Sequence, residues 1–262
     1  MSRLARFCAS LALALTTGCD TGPTPLDGDI PDAGPIDAGD PNEVTILRDE
    51  FGVPHVFSAT NRGAAYALGW ADGEDQGEGA LGLGYLGTGE STRRIGPSCA
   101  SCPAADRFAR TYRLPEAATS GYARLGADTR EWIESYAAGL SAYFESRPTR
   151  PPSFDPADPP TGQMVAASLL FVRARHALTE TLRGIAEGGG SNQLTVTGVR
   201  TRGASTFVVK DPHNTWQRAQ AYAHLSIAGF DVFGNFGVGG MGCGSNAALA
   251  FGCTRAGTTP GI

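Results

Sequence analysis

The sequence predicts an α+β fold, and three observations carry that reading. Apolar residues recur at helical spacing in the first two-thirds of the chain, at 61–75, from Asp128 toward Pro148, and at 161–182. Short alternating runs take over after residue 191, at 194–197, 206–210, 220–225 and 249–254. Glycine- and asparagine-rich turns separate those runs, so helices and strands are segregated rather than interleaved.

The elements follow in order. Val44-Thr45-Ile46-Leu47 and Val53-Pro54-His55-Val56-Phe57 read as two short strands around a turn, Arg48-Asp49-Glu50-Phe51-Gly52. Asn61 is a candidate cap for a helix carrying Ala64, Ala65, Leu68 and Ala71 or Asp72 at helical spacing. Residues 77–89 are glycine-rich and show no clear period. Asp128 opens a helix in which Trp132, Tyr136, Leu140 and Tyr143 fall at i+3 or i+4 steps, and Pro148 lies past its end. A proline-dense loop, 148–160, leads to a helix with Val165, Leu169, Phe171, Val172 and Leu178 as its apolar positions.

The 262 residues suffice for one large domain or two small ones. Net charge is −5 with no basic block, which gives no reason to expect a nucleic-acid partner. After the N-terminus no apolar run is long enough to cross a bilayer. Residues 1–18 are read as a targeting signal: Arg3 and Arg6 start it, and an apolar run covers 7–15. Thr16-Thr17-Gly18-Cys19 resembles a bacterial lipoprotein signal, with Thr16 where leucine is usual; an ordinary secretory signal is the other reading. In the first case Cys19 carries lipid and anchors the chain to a membrane without spanning it. Both place the protein outside the cytoplasm, as a periplasmic or membrane-anchored product. Residues 19–42, rich in Asp, Gly and Pro, are expected to form a disordered linker.

Cys99-Ala-Ser-Cys102 lies between Pro97 and Pro103. A single CxxC with no second ligand pair is weak for zinc, and no metal site is read from the sequence. A local disulfide between Cys99 and Cys102 is the favoured reading, in keeping with an oxidising compartment.

The segment Gly188-Gly189-Gly190-Ser191-Asn192 admits two readings. One is a flexible glycine turn before a strand. The other is a processing site: cleavage after Gly190 would give Ser191 a hydroxyl and a free α-amine on one residue. With a pKa of about 8 in water, that amine can accept the hydroxyl proton. This is the serine counterpart of threonine/N-terminal-amine catalysis.

Seen in order, these segments resemble the penicillin acylase family of N-terminal nucleophile hydrolases. The resemblance rests on Arg48-Asp49-Glu50-Phe51-Gly52-Val53-Pro54-His55, on 67–76, on 136–143 with Ser141 where asparagine is common, and on Gly190-Ser191-Asn192. Asp211-Pro212-His213, Gly229-Phe230-Asp231-Val232 and 249–254 continue the series, so it covers residues 43 to 254.

That resemblance implies an αββα sandwich and self-cleavage between Gly190 and Ser191 into two chains that stay together. Residues 43–183 become the core of the smaller chain, 184–190 a spacer, and 191–262 the start of the larger. Ser191 is then the nucleophile and its amine the base in hydrolysis of a linear amide of an N-acyl compound. The Arg255 backbone N–H maps to an oxyanion donor. His213 maps to a position that steadies the amine. His55 is read as a packed strand residue, and the sequence shows no partner for His176 or His224.

The chain departs from the pattern after Thr254. Some relatives bind calcium through aspartates there, but 255–262 contain no acid, so no cofactor is expected. Relatives continue further and carry there a side-chain oxyanion donor and much of the acyl pocket. The 262-residue product is therefore expected to be truncated and inactive alone; a non-catalytic envelope lipoprotein keeping the scaffold is the alternative.

Overall fold

A computed structural model describes residues 44–183, 191–202, 206–212, 221–227, 229–237 and 240–252. Strands β1 (Val44–Arg48) and β2 (Pro54–Ser58) pair antiparallel from Val44↔Ser58 to Arg48↔Pro54. The Arg-Asp-Glu-Phe-Gly-Val-Pro-His string builds the turn between them. Asp49 Oδ1 accepts from the Phe51 and Val53 backbone N–H groups, each at 2.9 Å, an Asx-type turn. Gly52 supplies the left-handed residue at φ 77°. Arg48 Nη1 donates to the Gly52 carbonyl at 2.6 Å.

Helix α1 (Asn61–Gln76) follows, capped by Thr60 rather than Asn61: Thr60 Oγ1 accepts from Gly63 N at 3.0 Å. Residues 77–89 differ from the sequence expectation more strongly, because they form helix α2 (Glu78–Thr88). Glycine disfavours a helix in isolation, but tertiary packing overrides propensity here. A Cβ on Gly87 would lie 2.3 Å from the Ala167 carbonyl carbon, so the missing side chain lets two helices meet backbone to backbone.

Three helices that the periodicity did not reveal come next: α3 (Ser91–Ile95), α4 (Cys102–Thr111) and α5 (Leu114–Tyr122). Pro103 and Pro115 sit at the first turns of α4 and α5, where a missing N–H costs nothing. Cys99 and Cys102 are joined in the expected local disulfide, with Cys102 the first residue of α4. Helix α6 (Ala127–Ser146) buries Ile133, Tyr136, Ala137, Leu140 and Phe144. Its buried face is thus rotated slightly from the Trp132–Tyr143 line expected. Helix α7 (Gly162–Arg183) starts where Thr161 Oγ1 accepts from Met164 N at 3.2 Å. Val165 and Phe171 are buried as expected, but Leu169 is exposed.

The strands after residue 191 are β3 (Ser191–Val196), β4 (Phe207–Pro212), β5 (Ala221–Ile227), β6 (Phe230–Gly237), β7 (Gly240–Ser245) and β8 (Ala250–Gly252). Strands β3 and β4 form a separate antiparallel pair. The others join the first hairpin in a six-stranded sheet ordered β1-β2-β5-β6-β7-β8. Every pairing in it is antiparallel except β2 with β5, which is parallel. The strands after residue 191 pair with one another antiparallel throughout, and the parallel junction is where a strand from before the helices meets one from after them.

One face of the sheet carries Val56, Ala223, Leu225, Val232 and Phe236, all buried against Ala64, Ala65 and Leu68 of α1, Ile133 and Tyr136 of α6, and Val165 of α7. Helices α1 and α6 approach unusually closely. A Cβ on Gly69 would lie 1.9 Å from the Tyr136 carbonyl oxygen, and one on Gly139 1.9 Å from that of Tyr66. A second cluster, with Leu81, Tyr85, Leu140, Phe144, Phe154 and Met164, fills the helical layer. The α+β class expected from sequence is therefore the observed one, with helices covering one face of the sheet.

Candidate functional site

Ser191 is the first residue of β3, and the β3–β4 register fixes what lies across from it. Its Cα partner is Pro212, and that of Asn192 is Asp211. The Asp211-Pro212 pair closes β4. β4 also lies against β8, the strand of the Leu249-Ala250-Phe251-Gly252 motif. Three sequence-distant motifs are thereby gathered at neighbouring strands. Of the other predicted site residues, Gly190, His213, Arg255 and Cys19 lie outside the described residues.

The loop before β8 is built by Asn246, whose Oδ1 accepts from Ala248 N at 2.9 Å and Leu249 N at 2.8 Å. That turn aims the chain from β7 back along the sheet toward β4. Cys243 of β7 is a half-buried free thiol. Among the described residues, no cluster of three or more His, Cys, Asp or Glu is placed to hold a metal ion. Nor is any described helix long and apolar enough to cross a membrane.

Sequence reasoning missed one polar constellation. His224, which had no partner in the sequence, contacts His55 Nδ1 to Nδ1 at 3.0 Å. His55 is packed in its strand as expected, but it is also hydrogen-bonded at both ring nitrogens: its Nε2 lies 3.4 Å from Asp49 Oδ2. Burial pulls the His224 pKa below the ordinary value, with Asp231 opposing that shift and His55 adding to it. The signal needed was the strand register, because His55 and His224 are 169 residues apart and become neighbours only through the β2–β5 pairing.

A shallow groove elsewhere is lined by Tyr122, Glu134, Ser141, Glu145 and Pro160, all from the helical segment. Burial and a hydrogen bond to the Glu134 carboxylate push Tyr122 up to about 12, so it stays a neutral donor.

A serine at the head of a strand hairpin, beside a helix-backed sheet, defines a mixed α+β protein with a nucleophile candidate at a strand start. Residues 43–260 match the Penicillin amidase family, and the chain belongs to it. A curated relative is acyl-homoserine lactone acylase QuiP of Pseudomonas aeruginosa, 31% identical over 101 residues. That match takes in 38% of this chain and 12% of the relative, so the chain spans only a small part of that protein's length. Among solved structures, a thermostable penicillin G acylase from Alcaligenes faecalis aligns at a TM-score of 0.44 and 24% identity, over 55% of this chain and 84% of that one. The lineage is that of an amide hydrolase.

Proposed function

We propose that this chain carries the nucleophile of an amide hydrolase acting on a small N-acyl compound, with Ser191 exposed as a new N-terminus by self-cleavage after Gly190. The observation that carries the reading is the position of Ser191 at the start of β3, in register with Pro212 and next to the strand that leads to residue 255. Membership in the family supports it.

The chemistry follows from the residue types. The α-amine of Ser191 takes the proton of its own hydroxyl as that oxygen attacks the amide carbonyl. The same ammonium returns the proton to the departing amine, leaving an acyl-serine ester. Water, deprotonated by the amine, then releases the acid. The developing oxyanion requires preorganised donors, and the Arg255 backbone N–H is assigned that task; removing one such donor typically costs about 2.7–4 kcal/mol of barrier. His213 is assigned to hold the amine through the segment following Pro212. Export by residues 1–18, with lipid on Cys19, belongs to the same proposal and rests on the sequence.

The test is expression of the full chain, with mass and N-terminal sequencing of the products. A fragment beginning at Ser191, lost in Ser191→Ala, supports the reading, and hydrolysis of an N-acyl amide by that product would overturn the expected inactivity of residues 1–262 alone. An intact chain indistinguishable from Ser191→Ala overturns it in favour of a non-catalytic scaffold. Metabolic labelling with a fatty acid, lost in Cys19→Ala, tests the anchor.

A further inference from the structure

Val56 and Leu225 face the helices, so their neighbours His55 and His224 point to the opposite side of the sheet. Four side chains form a line there: Asp49, His55, His224 and Asp231. The contacts run Asp49 Oδ2 to His55 Nε2 at 3.4 Å, His55 Nδ1 to His224 Nδ1 at 3.0 Å, and His224 Nε2 to Asp231 Oδ1 at 3.2 Å. Both rings are buried, at 3% and 8% exposure, while Asp231 reaches solvent.

Proton bookkeeping along this line has one answer. An ionised carboxylate only accepts, so each Nε2 must carry a hydrogen. The Nδ1 contact needs one N–H and one lone pair. Two rings therefore hold three N–H protons, one ring as imidazolium and the other as neutral imidazole. A fourth proton would set two N–H groups and two like charges against each other at 3.0 Å. With one proton fewer, either two lone pairs face each other at Nδ1 or a lone pair faces a carboxylate.

We infer that His55 and His224 share a single proton and form a pH-dependent latch between segment 44–183 and segment 191–252. Within the six-stranded sheet, β2 with β5 is the pairing that joins those two segments. The latch lies across that seam and does not depend on whether the chain is cut after Gly190.

The surrounding groups fit this assignment. Leu47 stands opposite His55 on β1, and Phe57 sets its ring edge-on to His224 at 5.7 Å. On β6 the neighbours are Asp231 and Phe233, and Ser245 of β7 stands beyond Phe233. Tyr222, two residues from His224, stacks on Phe233, with Cys243 near it. Arg48 is engaged elsewhere, by Glu74 and Asp75. Among the described residues, the charges facing the pair are thus the two carboxylates.

The sign on the acid side follows from His224, whose folded pKa is lowered. Its contribution is complete above the ordinary value of about 6.5 and is lost as pH falls through the lower folded value. Stability of the latch therefore falls on the acid side, where a fourth proton sets the two Nδ1–H groups against each other.

The experiment is two-part and uses the full chain. Long-range proton–nitrogen correlation spectra of histidine-labelled protein should show, on the plateau, one doubly protonated ring coupled to one Nε2–H ring. Stability against pH should show that acid limb, and Asp231→Asn, which keeps an acceptor oxygen at an exposed site but removes the charge that opposes the lowering of the His224 pKa, should move the limb down by roughly half a pH unit. Two rings titrating independently, or a profile unchanged by Asp231→Asn, overturns the inference.

Discussion

Residues 44–183 and 191–252 bury their apolar surface in different ways. The first segment closes on itself: α2, α6 and α7 enclose Leu81, Tyr85, Leu140, Phe144 and Met164, and α4, α5 and α7 enclose Ala109, Leu114 and Phe171. The second buries one side of β5 and β6 through Ala223, Leu225, Val232 and Phe236, while Leu194, Val199, Tyr222, Phe230, Leu249 and Phe251 are exposed. The helical segment is therefore held by many mutual contacts. Among the described residues, the strand segment meets the helices through one sheet face and joins the first segment's strands through one seam.

The largest expected effect falls on chemistry and lies wholly in the strand segment. Ser191→Ala should remove processing, and any amide hydrolysis that the unsubstituted chain shows should fall by about 10⁴-fold or more, while the unfolding midpoint of the helical segment stays unchanged. Product masses and a rate assay check the first part, and circular dichroism checks the second. A variant that still yields the two fragments would break the assignment.

Next come substitutions that probe how unequal the two segments are. Leu140→Ala, at a side chain 1% exposed in the helical core, should cost about 2–5 kcal/mol in denaturant unfolding. Gly139→Ala, whose Cβ meets the Tyr66 carbonyl, should cost about 1–3 kcal/mol by forcing α1 and α6 apart. Leu249→Ala, at a residue 62% exposed, should change stability by less than about 0.5 kcal/mol. A cost at Leu249 matching that at Leu140 would mean that the exposed strand face is buried in solution.

The smallest effect separates the segments by pH. Burial alone would raise the Asp106 pKa, but hydrogen bonds from Ser91 Oγ at 2.6 Å, Thr92 N at 2.9 Å and Ser91 N at 2.8 Å outweigh it and hold it below the ordinary carboxylate value. A depressed carboxylate contributes stability that is complete above about pH 3.9 and lost as pH falls through the folded value. Acid unfolding of the helical segment should therefore lose part of its steepness in Asp106→Asn. An identical acid limb in both proteins would remove Asp106 as its source.

Much of this was legible in the sequence, for physical reasons that can be named. The Arg48–His55 string encodes its own turn, because Asp49, Gly52 and Arg48 satisfy it within eight residues. Helices α6 and α7 were readable from spacing, since their buried side chains recur at the helical period. Ser191 stood out because glycines precede it and alternation follows. Helix α2 was hidden, because glycines that permit close helix packing also erase the apolar period. The His55–His224 contact was hidden more deeply, since no local pattern encodes a partner 169 residues away. The sequence by itself determined the α+β class, the family and the serine at the head of its strand, all of which rest on local residue order. Only the tertiary structure decided that β2 joins β5 in parallel and that two histidines share a buried contact, because strand register is set by the packing of the whole sheet against its helices.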